Sequence, residues 1–201
     1  MEVVPASNAS LIVVDVQRDF CPGGSLAVPH GDEVISPLNR VIESFAKANL
    51  PIFFTRDWHP SNHCSFEDQG GIWPVHCVQG TPGAEFHKGL LVPKRATIID
   101  KATEANREAY SGFDGTDLAD RLKKLGATTV FLGGLATDYC VKETSLGALR
   151  EGLEVNLMLD CVRGVDVHES DSEGAIRMLV QRGVRVSSSK AAVDFINSAQ
   201  Q

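Results

Sequence analysis

The chain has 201 residues, of which 43% are hydrophobic and 22% are charged, and its formal net charge is −7. This size and composition predict one globular domain, residues 1–201, with a substantial core. The acidic balance argues against nucleic acid as a partner, because binding to phosphates requires a basic surface. No apolar run approaches the roughly 20 residues of a membrane helix, so no membrane partner is expected.

Two further features of the composition concern the cellular compartment. Residues 1–10 lack the charged start and the apolar middle of a signal peptide. The five cysteines are an odd number, which fits free thiols in a reducing compartment better than a disulfide scaffold. We therefore expect the protein in the cytoplasm. No heptad pattern or long apolar stripe indicates the oligomeric state, so monomer and homo-oligomer both stay open.

Short apolar runs alternate with helical patterns along the chain. The mostly β-branched run 11–14 predicts a buried strand, and apolar side chains at three- and four-residue spacing over 32–48 predict a helix. Further strands are predicted at 51–55, 96–99, 128–132, 153–159 and 184–186. Further helices are predicted at 117–124, 138–150 and 170–182. The alternation predicts an α/β fold with a mostly parallel sheet covered by helices on both faces.

Reactive side chains follow the predicted strands, where ligands bind in sheets of this kind. These side chains are Asp15, Asp57, Lys101, Cys140 at the start of a helix, and the pair Asp160 and Cys161. A helix N-terminus favours a thiolate, so Cys140 is a candidate nucleophile, with Asp15 as its base and Lys101 as an electrostatic partner. Each residue taken singly also has an ordinary explanation, as a turn-forming aspartate or a small buried cysteine.

The long irregular stretch 57–93 carries a pattern of metal ligands. Asp57, His59 and His63 lie close together in the chain, and His76 follows them. One carboxylate and three imidazoles suit a divalent transition metal and leave positions open for water or substrate. Two alternatives stay open. One is a surface loop with solvated histidines, and the other is a closed structural zinc site that uses the adjoining Cys64 and Cys77.

These segments together resemble the nicotinamidases of the isochorismatase-like cysteine hydrolase superfamily. The resemblance spans residues 11–186 and rests on Lys101 and on residues 15–20, 57–63, 73–78, 109–113 and 133–141. It implies a Rossmann-like three-layer sandwich with a central, mainly parallel sheet. It also implies a catalytic triad of Asp15, Lys101 and Cys140.

The resemblance further implies the parts of a substrate site. Ala136 and Cys140 would supply backbone amides to an oxyanion, after a cis peptide bond between Leu135 and Ala136. The metal would be one divalent ion, zinc first with iron or manganese as alternatives, bound by Asp57, His59, His63 and His76. Pocket aromatics match at Phe20, Trp73 and Tyr110, of which the first two sandwich a pyridine ring in the family.

The reaction implied is hydrolysis of nicotinamide to nicotinate and ammonia in NAD salvage, with pyrazinamide as an alternative substrate. Two other functions compete with it. A hydrolase of the same superfamily that acts on carbamoyl, ureido or vinyl-ether substrates can share the triad, but many such enzymes lack the metal set. A non-catalytic metal-storage or thiol-redox protein would use the cysteines and histidines without Asp15 or Lys101.

Overall fold

The computed structural model describes residues 8–198 of the chain. Its strands are Ala9–Val14 (β1), Ile52–Asp57 (β2), Thr97–Lys101 (β3), Thr129–Leu135 (β4), Glu154–Arg163 (β5) and Arg185–Ser187 (β6). Its α-helices are Ile35–Lys47 (α1), Leu118–Lys124 (α2), Lys142–Arg150 (α3), Asp171–Gln181 (α4) and Ser189–Ser198 (α5). The strands form a six-stranded sheet in the order β3-β2-β1-β4-β5-β6, and every neighbouring pair is parallel. The predicted α/β fold with a parallel sheet is confirmed.

The central strand β1 is buried on both faces, which explains its unbroken apolar run. Leu11 and Val13 point into a core shared with α1 and α5, whereas Ile12 and Val14 point into a second core shared with α2, α3 and α4. This alternation follows from the two-residue period of a strand. The helices therefore cover the sheet from both sides and form the expected three layers.

The strand order reverses between β1 and β4, and a crevice opens beyond the carboxyl ends of strands at such a point. Gly134 in β4 lies against β1 with φ 131°, and a Cβ there would come 2.0 Å from the Val14 carbonyl oxygen. Only glycine allows this approach. The backbone of β4 can therefore run directly beside the end of β1.

The structure corrects the predicted end of the fifth strand. Because β5 continues to Arg163, Asp160 and Cys161 lie inside this strand and do not follow it. Asp160 accepts hydrogen bonds from the backbone N–H of Ser189 at 2.7 Å and from the Ser189 hydroxyl at 2.5 Å. Asp160 thus holds the start of α5, a helix that the sequence analysis missed.

Two predicted helices start differently from the expectation. A 3-10 turn, Gly31–Val34, precedes α1, and Pro37 lies in the first turn of α1, where proline is tolerated. The helix predicted over 138–150 is divided into a π-helical turn, Thr137–Val141, and α3. The Ala136 carbonyl closes this turn by accepting the N–H groups of Tyr139 and Val141, each at 3.1 Å. π turns of this kind are frequent at functional sites.

Within residues 8–198, no helix is both long enough and apolar enough to cross a membrane.

Candidate active site and metal centre

Lys101, the last residue of β3, is the centre of a buried group of acidic and thiol side chains. Its ammonium nitrogen lies 3.0 Å from Asp15 Oδ2 and 3.4 Å from Cys140 Sγ, and it contacts Asp57 Oδ1. It also donates a hydrogen bond to the Ala109 carbonyl at 3.1 Å. We call Asp15, Asp57 and Cys140 around Lys101 the lysine cluster. The sheet thus brings together the three residues of the expected triad.

The ends of neighbouring strands position this cluster. Asp57 and Lys101 are register partners in β2 and β3. Asp15 leaves β1 with φ 48°, and its backbone N–H still donates to the Thr55 carbonyl at 3.2 Å. The Thr55 hydroxyl then donates to Asp15 Oδ1 at 2.6 Å. The turn at Asp15 therefore directs its carboxylate across β2 towards β3.

Burial and the mutual attraction of the charges act in opposite directions on the pKa values of the cluster. Burial raises the pKa of Asp15, and the attraction of Lys101 offsets only part of this effect. Burial would lower the pKa of Lys101, but Asp15 and Asp57 outweigh it and raise that pKa well above its ordinary value. Lys101 therefore carries its charge at neutral pH, and it pairs with the carboxylates of Asp15 and Asp57.

The thiol of Cys140 behaves differently from the expectation. Burial raises its pKa well above the ordinary value, and the nearby Asp15 and Asp57 add to this effect. The prediction of a readily ionised thiol is therefore wrong, because burial outweighs the helix start and Lys101. Burial thus favours the protonated thiol, and the carboxylate of Asp15 lies close to it.

A second group of side chains, which we call the histidine cluster, consists of Asp57, His59 and His76. These buried residues offer ligand atoms that all lie within 4.8 Å of one another. His59 Nδ1 donates to the Ala102 carbonyl at 3.2 Å, and His76 Nδ1 donates to the Pro74 carbonyl at 2.7 Å. In a neutral ring this bond leaves Nε2 free for a metal, the arrangement usual for metal-binding histidines.

The atoms of the histidine cluster fit a divalent cation. His59 Nε2 is buried without a hydrogen-bond partner among the described residues, and it lies 3.6 Å from Asp57 Oδ2. Burial lowers the pKa of His76, which keeps its imidazole neutral and able to bind a metal. Burial would raise the pKa of Asp57, but the ammonium of Lys101 makes the largest of the contributions that lower it below its usual range. The cluster thus places one carboxylate and two imidazoles with their ligand atoms close together.

His63, the fourth predicted ligand, lies beside this cluster and is not part of it. Its ring centroid is 4.2 Å from that of His59. Both of its nitrogens have other partners, since Nε2 donates to the Arg107 carbonyl at 3.0 Å and Nδ1 lies 2.7 Å from Ser65 Oγ. The structure therefore brings together three of the four predicted ligands.

The alternative zinc site with two thiolates does not form within the described part of the chain. Neither Cys64 nor Cys77 belongs to a group of side chains close enough to hold an ion. Burial raises the pKa of Cys77 well above its ordinary value, which disfavours the thiolate that a metal needs.

Two residues that the sequence analysis did not single out hold the histidine cluster in place. The buried Gln17 donates to the carbonyls of Asp57 at 2.7 Å and Ala84 at 2.9 Å, and its own oxygen accepts the Asp57 N–H at 2.8 Å. Because β1 turns away at Asp15, this carboxamide replaces the missing strand partner of Asp57. Asp19 Oδ2 accepts the N–H of Cys77, the neighbour of His76, at 2.7 Å.

An aromatic cleft opens onto both clusters. It contains about 460 Å³ of empty space including its mouth, and its lining includes Phe20, Trp73 and Tyr110 together with Asp57 and Cys140. Phe20, Trp73 and Tyr110, the three aromatic residues expected at a pocket, thus line the same cleft.

The aromatic wall is held by contacts within it. Trp73 Nε1 donates to the Tyr110 hydroxyl at 2.9 Å, and the Trp73 and Tyr139 rings meet edge to face at 5.0 Å. Tyr139 was not predicted, although its position directly before Cys140 is a usable signal. Ala136 also lines the cleft, and the expected cis peptide bond between Leu135 and Ala136 is present.

Comparison with known proteins places the chain in a family. The isochorismatase domain model matches residues 9–191. The chain belongs to the isochorismatase family. This isochorismatase-family protein is 37% identical to the nicotinamidase of Acinetobacter baylyi, over 91% of this chain and 94% of that protein.

Solved structures of similar proteins share the fold. The crystal structure of the pyrazinamidase of Pyrococcus horikoshii in complex with zinc has a TM-score of 0.87 and 50% identity, covering 90% of this chain and 99% of that one. PnC1 from L. infantum in complex with nicotinate has a TM-score of 0.84 and 35% identity, covering 94% and 97%. The isochorismatase-like fold is therefore confirmed over most of the chain.

Proposed function

We propose that this protein hydrolyses nicotinamide to nicotinate and ammonia in the cytoplasm, as a step of NAD salvage, and that it also accepts pyrazinamide. One observation carries the proposal: the lysine cluster and the histidine cluster share Asp57 and face the same aromatic cleft. The names of the bacterial and archaeal relatives agree with it, since one is a nicotinamidase and the other a zinc-bound pyrazinamidase. Both substrates are carboxamides on a nitrogen-containing aromatic ring.

The cleft supplies the means to orient such a ring. Phe20 and Trp73 line it and would hold the two faces of the ring, with Tyr110 beside them. A divalent ion on Asp57, His59 and His76, zinc first with iron or manganese as alternatives, would supply a Lewis acid for the ring nitrogen. His63 would join this ligand set only if its ring gave up the Arg107 carbonyl.

Formation of the acyl-enzyme would begin at Cys140. Asp15 takes the thiol proton while the sulfur attacks the carboxamide carbon, and the backbone amides of Ala136 and Cys140 stabilise the oxyanion. Lys101 stays paired with Asp15 throughout. Asp15 then returns the proton to the leaving nitrogen, the C–N bond breaks, and ammonia leaves a thioester on Cys140. The raised pKa of Asp15 makes this carboxylate a stronger base than an ordinary aspartate.

Hydrolysis of the thioester would use the same base. Asp15 takes a proton from water, the water oxygen attacks the thioester carbon, and the C–S bond breaks. Asp15 passes this proton to the Cys140 sulfur, and the carboxylic acid that forms loses its own proton to solvent and leaves as nicotinate. The buried neutral thiol is thus restored for the next cycle, in agreement with its raised pKa.

The test is ammonia release by the purified full chain from nicotinamide, pyrazinamide and benzamide, the last of which lacks the ring nitrogen. We expect turnover of the first two and a much slower reaction with benzamide. A chelator should suppress the activity, and added zinc should restore it. Absence of ammonia release from nicotinamide by zinc-loaded protein would refute the proposal, and equal rates with benzamide would refute the role given to the ring nitrogen.

A further inference from the structure

The lysine cluster is itself a second set of metal-ligating atoms. Ligand atoms of Asp15, Asp57 and Cys140 lie within 4.8 Å of one another, and all three residues are buried. The ammonium of Lys101 lies among them, 3.0 Å from Asp15 Oδ2 and 3.4 Å from Cys140 Sγ. A cation therefore already occupies the position that these ligands define.

Asp57 connects this set to the histidine cluster. Its Oδ1 contacts the Lys101 ammonium, while its Oδ2 faces His59 Nε2. A carboxylate that bridges two cation positions is the arrangement of two-metal sites, whose ions lie roughly 3.5–4 Å apart. Here one of the two positions holds a side-chain ammonium.

This arrangement creates a problem of metal selectivity. Thiolates are preferred zinc ligands, so a zinc ion that reaches the histidine cluster has Cys140 as a competing ligand nearby. Zinc bound to the Cys140 sulfur would block attack on a carboxamide carbon. A nucleophilic thiol beside a metal centre therefore needs protection from the metal.

We propose that Lys101 keeps metal ions off the nucleophile: its ammonium fills a latent second metal site formed by Asp15, Asp57 and Cys140. The inference rests on the proposed function for the nucleophilic role of Cys140 and for an ion at the histidine cluster. A metal ion cannot enter the latent site without displacing an ammonium that is paired with two carboxylates.

The surroundings of Asp15 support this assignment. Asp15 Oδ2 is buried, and the ammonium of Lys101, 3.0 Å away, balances its negative charge. Removal of the ammonium leaves this oxygen and Asp57 Oδ1 as uncompensated buried acceptors. A divalent ion that displaces the Cys140 thiol proton to solvent would satisfy both carboxylates and the sulfur.

The test is titration of metal-free protein with Co²⁺, whose bond to a thiolate gives a sulfur-to-cobalt charge-transfer band in the near ultraviolet. Wild-type protein should bind one equivalent without this band. Lys101→Met should bind a second equivalent, show the band and release a further proton. The double variant Lys101→Met/Cys140→Ser should lose the band, which assigns it to Cys140.

Two results would overturn the inference. One is a Cys140-dependent band in wild-type protein at the first equivalent, and the other is cobalt uptake by Lys101→Met equal to that of wild type. If Lys101→Met does not fold without metal, it is refolded with Co²⁺. Recovery of folded protein that shows the band supports the latent site. Failure of both Lys101→Met and Lys101→Gln to fold with Co²⁺ counts against it.

The readout is independent of turnover. Ammonia release from nicotinamide is measured on the same wild-type preparation. If the wild-type protein releases no ammonia but Lys101→Met shows the band, the proposed function is refuted and the latent metal site is supported. If the wild-type protein releases ammonia but Lys101→Met binds no further cobalt, the proposed function is supported and the latent metal site is refuted.

Discussion

The lysine cluster and the histidine cluster share Asp57 but are built in different ways. Asp15, Lys101 and Asp57 stand at the ends of adjacent parallel strands, so the register of the sheet sets their separation. His59 and His76 lie in the irregular segment between β2 and β3, where no ladder of hydrogen bonds positions them. Each of them depends on a few individual contacts, such as the bond from the His59 N–H to the Cys77 carbonyl at 3.0 Å.

This difference predicts different sensitivities. Asp15 and Lys101 should tolerate loss of a single anchor, because the sheet holds their backbone, but they should respond strongly to changes of charge or chemistry. His59 and His76 should respond to loss of one anchoring side chain, because only a few individual contacts set their position. The variants below test this contrast from the largest expected effect to the smallest.

Cys140→Ala should abolish the chemistry and leave the metal centre intact. We expect hydrolysis to fall by at least about 10⁴-fold, because the covalent route is lost. Zinc content, measured by elemental analysis, should not change, because Cys140 is outside the histidine cluster. Cys161→Ala is the matched control, since this buried thiol in β5 does not line the cleft. Retained hydrolysis in Cys140→Ala would exclude this nucleophile.

Gln17→Leu removes the carboxamide that pairs with both backbone groups of Asp57. Loss of a residue that orients a ligand typically costs about 10–100-fold in metal affinity, and we expect a loss of that size in zinc titrations. Asn39→Leu is the control. The Asn39 carboxamide likewise bonds to two backbone groups, donating to the Gly89 carbonyl and accepting the Leu91 N–H, each at 2.8 Å, and these groups lie on a loop outside the cleft. Equal zinc affinity in the two variants would contradict the role of Gln17.

Asp19→Ala should affect the histidine cluster alone. Without the acceptor for the Cys77 N–H, His76 loses its anchor, and we expect zinc affinity to fall by about tenfold, the low end of the range for such residues. The rate of Cys140 alkylation in metal-free protein should stay unchanged, because the sheet holds the lysine cluster. Asp19→Asn keeps an acceptor oxygen and should restore zinc affinity. A change in alkylation as large as the change in affinity would remove the distinction between the two clusters.

Thr55→Val should have the smallest effect on activity, and it should act through the ionisation of the Asp15 carboxyl. The Thr55 hydroxyl lowers the pKa of Asp15, against the larger effect of burial, which raises it. Since Asp15 must be ionised to take the thiol proton, kcat/KM falls as the pH drops through its pKa. Loss of the hydroxyl raises that pKa further, so the acidic limb of the profile of kcat/KM against pH should move to higher pH.

The control for this change is Thr129→Val. The Thr129 hydroxyl is buried and has no hydrogen-bond partner among the described residues, so its loss should leave the pH profile unchanged. An acidic limb that stays in place in Thr55→Val would show that Asp15 does not control the rate.

The sequence by itself determined the parallel α/β fold and most of the chemistry of the site. Buried strands read as apolar runs, and parallel strands place their carboxyl ends at one edge, so Asp15, Asp57 and Lys101 were predictable as neighbours. The candidate nucleophile Cys140 followed from its place after a predicted strand, and the aromatic positions 20, 73 and 110 followed from the resemblance to the nicotinamidases. These features depend on residue type and short spacing, which a chain displays directly.

Only the tertiary structure decided how the polar groups pair and which charges they carry. The partner of His63 is the Arg107 carbonyl and that of Gln17 is the backbone of Asp57, and both contacts join residues far apart in the chain. Burial raises the pKa of the Cys140 thiol, although its position before α3 suggested the opposite. The start of α5 likewise depends on Asp160 in β5. Desolvation and long-range hydrogen bonds exist only once the chain has folded, and spacing along the sequence does not encode them locally.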